Sequence, residues 1–202
     1  MSLAHSFIAL KKDKKFAKLI LKYGELDNRA KRDPFVALAR TIIYQQISGP
    51  AAETIFKRFK KLFPKGKKMS PKLVLELRPA ALRAAGLSPQ KVSYLTDLAC
   101  KFSNGTIQKE KFQKMSSEEI MEHLLQIKGV GEWTVQMFLM HTMGRLDILP
   151  TKDLGIKKGM KLFFGLKNLP DEKTMERLAL PWRAHATVAS WYLWRLADEK
   201  FD

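Results

Sequence analysis

The sequence predicts an all-α fold, with about ten helices joined by short turns, from three observations. Ser or Asp stands immediately before proline at Asp33, Ser70 and Ser88, which is the pattern of a capping side chain followed by a proline in the first helical turn. Segments with helical apolar spacing end at glycines where helices should stop. No run of alternating β-branched residues predicts a strand. These glycines are Gly24, Gly86, Gly105, Gly144 and Gly165.

Individual helix starts and ends can be read from the same signals. Ser116 and Glu119 form a predicted capping box ahead of the apolar face that begins at Ile120. A single N-terminal helix is predicted over about residues 6–23, and a further helix is predicted to begin near Glu132. Helices therefore account for nearly all of the patterned sequence.

The charge of the chain indicates a polyanionic partner. The 202 residues include 37 Lys plus Arg and 20 Asp plus Glu, a formal net charge of +17. Such a charge creates a long-range positive field suited to a phosphate backbone. Charge alone leaves open a nucleic acid, an anionic membrane surface or merely a solvated exterior.

Several classes of protein are excluded by composition. The 46% of apolar residues can supply a packed core, but no apolar run resembles a signal peptide or a membrane span. The single cysteine, Cys100, cannot form an internal disulfide, a four-cysteine iron–sulfur site or a zinc knuckle. We therefore expect an intracellular globular protein.

The most informative stretch runs over residues 124–134, LLQIKGVGEWT. Gly129 and Gly131 lie between two predicted helices, where they permit a tight turn and close backbone approach to a partner. Amides at this turn and at the following helix start can hold a phosphate, with Ile127 and Val130 anchoring the turn from below. An ordinary interhelical turn is the alternative, because a lone G-x-G is a weak signal.

This stretch, together with residues 144–153 (GRLDILPTKD), resembles the helix-hairpin-helix DNA glycosylase superfamily. The resemblance covers most of residues 33–198 and is strongest to the 3-methyladenine DNA glycosylase II group, in a compact form without an N-terminal β-rich domain. It implies one glycosylase domain over residues 1–202, with two helical lobes flanking a cleft. Lobe 1 is expected over about residues 33–127, and lobe 2 over about 1–32 plus 128–202.

The resemblance also implies what the hairpin binds. Duplex DNA would be contacted by the hairpin and its neighbours, and a monovalent cation, Na⁺ or K⁺, would be bound by the main-chain carbonyls of Leu125, Ile127 and Val130. No cofactor is expected to be required. The expected DNA contacts are Gln46, Ser48, Lys128, Gly129, Val130, Gly131, Thr134 and Lys152, with Lys157 near the same phosphate track.

Asp153 occupies the position of the family's catalytic aspartate. A fixed carboxylate there can stabilise the oxocarbenium-like sugar that forms as a purine departs, and can orient or deprotonate the attacking water. The alternative is that Asp153 is only a surface residue, because the helix dipole favours an aspartate at a helix start. Asp147 is the rival carboxylate.

Bifunctional relatives carry a nucleophilic lysine just after the hairpin glycines, where this chain has Trp133. The difference predicts a monofunctional enzyme that leaves an abasic site. Lys152 lies beside Asp153 and could supply an amine, so a weak lyase activity is the alternative.

An aromatic pocket is expected to select the damaged base, because alkylation makes a purine cationic and an electron-rich ring attracts it. Trp133 and Trp182 align with the family's pocket aromatics. Tyr44 is expected as a further wall, and Met137 stands where some relatives have tyrosine. Core packing is the alternative for both tryptophans, and it is the expected role of Trp191 and Trp194 in the last helix.

A base flipped out of DNA leaves a gap that the family fills with a residue from a loop between two early helices. Residues 44–48, YQQIS, match that loop and place Gln46 at the plug position. The alternative is that Gln45 or Gln46 caps a helix end. Ser48 is expected to cap the next helix or contact a phosphate.

Taken together, the motifs and the resemblance predict an enzyme that removes alkylated purines, chiefly 3-methyladenine and also 7-methylguanine, from double-stranded DNA. A glycosylase for oxidised or deaminated purines and a catalytically silent DNA-binding module are the alternatives. We expect a monomer with access to DNA, in a bacterial or archaeal cytoplasm or in a nucleus, and no membrane partner.

Overall fold

A computed structural model describes residues 2–26 and 33–199, and these residues are mostly helical and contain no strand, which confirms the all-α prediction. The α-helices are α1 (Leu3–Leu10), α2 (Lys14–Tyr23), α3 (Pro34–Tyr44), α4 (Gly49–Lys61), α5 (Pro71–Leu75), α6 (Pro79–Ala84), α7 (Pro89–Ser103), α8 (Ser117–Leu125), α9 (Glu132–Phe138), α10 (Leu154–Phe164), α11 (Glu172–Ala179) and α12 (Ala186–Glu199). Short 3₁₀ turns lie at Lys109–Lys111 and Leu180–His185, and a π-helical turn lies at Leu139–Met143.

The described residues divide into two compact units. Residues 33–138, with α3 to α9, form the continuous unit. Residues 2–26 and 139–199, with α1, α2 and α10 to α12, form the discontinuous unit. The predicted cleft stays a prediction, and residues 27–32, where one lobe was predicted to end, lie outside the described residues.

Helix starts follow the predicted capping signals. The carboxylate of Asp33 accepts the amides of Phe35 and Val36 at the start of α3. Ser70 and Ser88 cap α5 and α7 through their hydroxyl oxygens. Both halves of the predicted capping box, formed by Ser116 and Glu119, are present at α8. Each cap satisfies amides that the first helical turn leaves without an intrahelical partner.

The prediction of one N-terminal helix over residues 6–23 is wrong, because the chain forms two helices there. α1 ends at Leu10 and α2 begins at Lys14. The carboxylate of Asp13 accepts the amides of Lys15 and Phe16, so it starts a new helix instead of extending the first one. The break lets Phe16 reach the core, where it is fully buried.

In the continuous unit, α3 is the central helix. Its sequence, PFVALARTIIY, is apolar on most of its circumference, as expected for a helix buried on several sides. It packs against α4, α7 and α9, and it buries Leu38, Ile42 and Ile43 completely. Tyr44 and the loop that follows it therefore extend from a helix that is buried in the unit.

In the discontinuous unit, α12 is the central helix and packs against α1, α2 and α10. The approach of α10 is unusually close, since a Cβ atom added at Gly159 would lie 2.2 Å from the carbonyl oxygen of Leu193. Only glycine allows the two backbones this separation. The Tyr192 hydroxyl on α12 donates to the carbonyl of Gly24 at 2.8 Å, which fixes the end of α2 on the same helix.

Across residues 2–26 and 33–199, no helix has the length and apolar character that spanning a bilayer would need.

Candidate functional site

A cavity of about 690 Å³ lies within the continuous unit. Its walls are the loop after α3, the N-terminal part of α7 and the turn between α8 and α9. The lining residues are Thr41, Tyr44, Gln45, Gln46, Ile47, Ser88, Gln90, Lys91, Tyr94, Gly129, Gly131, Trp133 and Thr134. The structure thus brings the predicted plug loop, the predicted hairpin and two of the predicted pocket aromatics to one cavity, although they come from separate parts of the sequence.

The hairpin between α8 and α9 is built on one glycine with left-handed backbone. Gly129 has φ +76°, and a Cβ atom there would lie 2.1 Å from the ring of Tyr94. Ile127 and Val130 are 2% and 5% exposed and anchor the turn, as predicted. Gly131 differs from Gly129: its φ is ordinary, and nothing lies within 4 Å of a Cβ added to it. The hairpin therefore presents open backbone at Gly131.

Two side chains tie the loop after α3 to its surroundings. The Gln45 amide donates to the Gly129 carbonyl at 2.9 Å. The Lys91 ammonium donates to the carbonyls of Ile43 and Gln45 at 2.7 and 2.8 Å, and burial lowers the pKa of Lys91 below its ordinary value. No motif near Lys91 in the sequence predicts these two hydrogen bonds, because their acceptors lie 48 and 46 positions away. Capping of a helix end by Gln45 or Gln46 was the alternative to the plug role, and the Gln45 side chain binds the hairpin instead.

Gln46 is exposed in this loop, and it has φ +56°. A residue with a side chain occupies this left-handed region at a cost, which the surrounding contacts must offset. Ser48 stands at the N-cap position of α4 but makes no capping hydrogen bond through its side chain. Ser48 therefore occupies the predicted capping position, but its side chain does not cap the helix.

The predicted pocket aromatics differ in how open they are. Trp133 is 42% exposed on the cavity wall. One face of Tyr44 is covered by the Arg40 guanidinium, 3.9 Å from the ring centroid. The Tyr44 hydroxyl donates to Glu53, and burial together with this bond raises the pKa of Tyr44. Met137 is half-buried and lies outside the cavity lining.

The hairpin residues predicted to contact DNA are partly engaged within the protein. Thr134 is 4% exposed, and its hydroxyl accepts from Gln45 at 3.4 Å. The backbone amide of Lys128 donates to the Asp97 carboxylate at 2.8 Å. Burial alone would raise the pKa of Asp97, but the hydrogen bonds from Lys101 and from this amide outweigh it and lower the pKa. The Lys128 side chain is exposed, so any phosphate contact of Lys128 must come from its ammonium group.

Trp182 lies in the discontinuous unit and is packed in its apolar core. It is 6% exposed, and its ring meets that of Phe16 edge to face at 5.6 Å between centroids. This is the arrangement that the core-packing alternative described. The cavity of the continuous unit does not include Trp182.

Asp153 is the N-cap residue of α10 and is half-buried. Its Oδ1 atom accepts the Ile156 amide at 2.9 Å and the indole N–H of Trp194 at 2.9 Å. The sequence indicated only a core role for Trp194, and this bond was missed. The signal that was available was Gly155 and Gly159 on α10, since glycines four residues apart allow a neighbouring helix to come close.

The remaining predicted residues flank these features. Lys152 is exposed beside Asp153, and the Lys157 amide donates to the Asp153 carbonyl at 3.0 Å. Leu125 is the last residue of α8, where helical carbonyls lack intrahelical partners. The Ile127 carbonyl accepts the Val130 amide at 3.1 Å. Asp147, the rival carboxylate, is exposed, and its carbonyl oxygen accepts from Arg183.

Comparisons with known proteins agree with one another. Residues 39–184 match the model of the HhH-GPD superfamily base excision DNA repair proteins. DNA-3-methyladenine glycosylase 1 of Schizosaccharomyces pombe is 34% identical over 192 residues, which cover 92% of this chain and 83% of that protein.

Two solved structures are similar over nearly the whole chain. The S. pombe 3-methyladenine DNA glycosylase Mag1 in complex with abasic DNA has a TM-score of 0.84 and 31% identity, covering 95% of each chain. The DNA-3-methyladenine glycosidase of Bacillus halodurans has a TM-score of 0.83 and 31% identity, covering 94% of this chain and 87% of that one.

The two hairpin glycines are expected to respond differently to alanine. Gly129→Ala should lower the free energy of unfolding by about 1–3 kcal/mol, because alanine is strained at positive φ and its methyl group meets the Tyr94 ring. Gly131→Ala should change it by less than about 0.5 kcal/mol, because the added methyl group enters open space. Urea unfolding of both variants measures the difference, and equal losses would contradict it.

Proposed function

The chain belongs to the HhH-GPD superfamily of base excision DNA repair proteins, and we propose that it is a monofunctional DNA N-glycosylase that releases alkylated purines from double-stranded DNA. The observation that carries the proposal is the likeness over nearly the whole chain to 3-methyladenine DNA glycosylases. The proposed substrate is chiefly 3-methyladenine, with 7-methylguanine as a secondary candidate.

DNA binding is assigned to the hairpin and the loop of the continuous unit. The open backbone at Gly131 allows a phosphate to approach closely, and the formal charge of +17 attracts the DNA backbone at long range. Gln46 fills the gap left by the flipped nucleotide. Its exposure and left-handed backbone support this role, because a plug must project from the protein surface.

Base selection is assigned to the exposed aromatic of the cavity. A purine methylated at a ring nitrogen carries a positive charge, and an indole face attracts such a charge more strongly than it attracts a neutral base. Trp133 has open surface for this purpose. Tyr44 contributes less to cation binding, because a guanidinium already covers one of its faces.

Bond cleavage is assigned to Asp153. The bond between C1′ and the purine nitrogen breaks, its electron pair leaves with the base, and the cationic methylpurine becomes neutral. The Asp153 carboxylate stabilises the positive charge that develops on the sugar and takes the proton of the water that attacks C1′. The product is an abasic site with an intact DNA strand.

We propose that the hairpin binds a monovalent cation, Na⁺ or K⁺. Carbonyl oxygens are suitable ligands for a hard cation, and the proposed ligands are the main-chain oxygens of Leu125, Ile127 and Val130. The end of α8 at Leu125 supports this assignment, because carbonyls at a helix C-terminus lack intrahelical partners. The ion would stabilise the turn, and no step of the reaction passes through it.

We further propose that the protein acts as a monomer, since one glycosylase domain can engage a lesion alone. Its place of action is wherever the organism keeps its DNA, in a bacterial or archaeal cytoplasm or in a nucleus.

Replacement of the proposed catalytic carboxylate tests the reaction directly. Asp153→Asn should keep the α10 cap, because asparagine also caps helices well, and should lower single-turnover release of 3-methyladenine from methylated duplex DNA by about 10²–10⁴-fold. Binding to DNA that contains an abasic site should stay close to that of the wild type. Wild-type release by Asp153→Asn would rule out the assignment.

The control for this experiment is Asp147→Asn, which changes an exposed carboxylate shortly before the same helix and should leave release unchanged. The same assay separates the alternatives. Release only from oxidised or deaminated DNA would support a different substrate class, and binding without release from any damaged DNA would support a DNA-binding module.

A second prediction concerns the fate of the DNA strand. Because Trp133 replaces the lysine of bifunctional relatives, methylated DNA treated with the enzyme should break only after alkali. Borohydride added during the reaction should trap no covalent complex between enzyme and DNA. If a complex is trapped, loss of trapping in Lys152→Gln would identify the amine and the monofunctional assignment would be wrong.

A third prediction concerns the salt dependence of DNA binding. Lys128→Gln should weaken binding to undamaged duplexes of any sequence, and should reduce the slope of log K against log salt by up to about 0.9, the value of one phosphate contact. Lys114→Gln removes another exposed lysine of the continuous unit, outside the cavity lining, and should leave the slope unchanged. Equal slopes for both variants would contradict the role of Lys128.

A further inference from the structure

Asp153 is held by a tryptophan from another helix. The indole Nε1 of Trp194, on α12, donates to Asp153 Oδ1 at 2.9 Å, and the Ile156 amide donates to the same oxygen at 2.9 Å. The two donors come from different helices, α12 and α10. A carboxylate bound from two sides at one oxygen cannot rotate freely about its side-chain torsions.

The backbone of α10 is shaped to allow this bond. A Cβ atom at Gly155 would lie 2.8 Å from Trp194 Cδ1, 3.1 Å from Trp194 Nε1 and 3.0 Å from Asp153 Oδ1. Any side chain at position 155 would therefore enter the space where the indole and the carboxylate meet. One turn further along α10, Gly159 admits the backbone of Leu193, the residue that precedes Trp194.

The indole is also supported on its ring face. The imidazole of His141, in the π-helical turn at Leu139–Met143, stacks on Trp194 with 6.3 Å between centroids and 27° between planes. π-helical turns are rare and often occur at functional sites. The position of Trp194 is thus set by α10 on one side and by His141 on another.

We propose that Trp194 is a positioning residue for the Asp153 carboxylate, and that position 155 must be glycine because a side chain there would disrupt that contact. The inference rests on the proposed function. The hydrogen bond holds the carboxylate in one orientation, and a carboxylate fixed in advance stabilises a cationic sugar better than one that must reorient during the reaction. Trp194 acts through Asp153 and is not assigned a contact with substrate.

The test compares the rate of base release with the affinity for DNA. Trp194→Phe keeps an aromatic ring and removes the N–H donor, and it should lower single-turnover release of 3-methyladenine by about 10-fold or more, the effect of losing one hydrogen bond to a charged group. The dissociation constant for duplex DNA with an abasic site should change by less than about threefold, because the weakened interaction is that of the Asp153 carboxylate with the cationic sugar, which arises only in the transition state. Trp191→Phe, the matched change elsewhere on α12, should leave both quantities unchanged.

Gly155→Ala provides a second variant that keeps the indole. Alanine is the stronger helix former, so the variant should fold, while its methyl group displaces Trp194 from Asp153. Its release rate should fall as that of Trp194→Phe does, with the affinity for DNA retained.

A double-mutant cycle separates positioning from general support of the fold. In the Asp153→Asn background, Trp194→Phe should cause no further loss of rate, because the group it positions is already absent. Wild-type rates in folded Trp194→Phe and Gly155→Ala, or multiplicative losses in the double mutant, would overturn the inference and leave the proposed function intact. A wild-type protein that releases no methylpurine would instead overturn the proposed function, and with it the inference.

Discussion

Close packing of α10 against α12 organises the discontinuous unit. Gly159 lets the two backbones approach to a distance that no side chain would permit, and Gly155 leaves room for the Trp194 side chain beside Asp153. This packing completes the apolar core around Met160 and Leu193, both fully buried. It also brings a polar indole N–H to the N-cap carboxylate. The same close approach therefore stabilises the unit and fixes the orientation of the side chain to which we assign the chemistry.

In the continuous unit, the hairpin between α8 and α9 exposes backbone at Gly131 while other contacts hold the turn in place. Gly129 accepts the left-handed conformation under the Tyr94 ring, and Gln45 binds the Gly129 carbonyl. Lys91 donates to the carbonyls of Ile43, in the last turn of α3, and of Gln45, in the loop that follows. A turn held from both sides in this way can leave Gly131 open and still remain rigid.

Charge and chemistry are thus carried by different kinds of residue. The excess of lysine and arginine acts at long range and does not require any single position. The proposed local interactions depend on three side chains. These are the exposed indole of Trp133, the exposed side chain of Gln46, whose backbone is left-handed, and the Asp153 carboxylate, which accepts hydrogen bonds from two helices. Composition therefore raises a polyanionic partner as a hypothesis, whereas the role of a single residue depends on its neighbours in space.

Features that depend on neighbours within a few residues could be predicted from the sequence alone. Caps at Asp33, Ser88 and Ser116 and the hairpin glycines belong to this group, because capping and turn geometry are local. The packing of helices instead set the contacts of Gln45, Lys91 and Trp194, which join residues 41 to 89 positions apart. Helix packing also decided that Trp182 lies in a core. Periodicity predicts that a helix has an apolar face, but it does not predict what that face packs against.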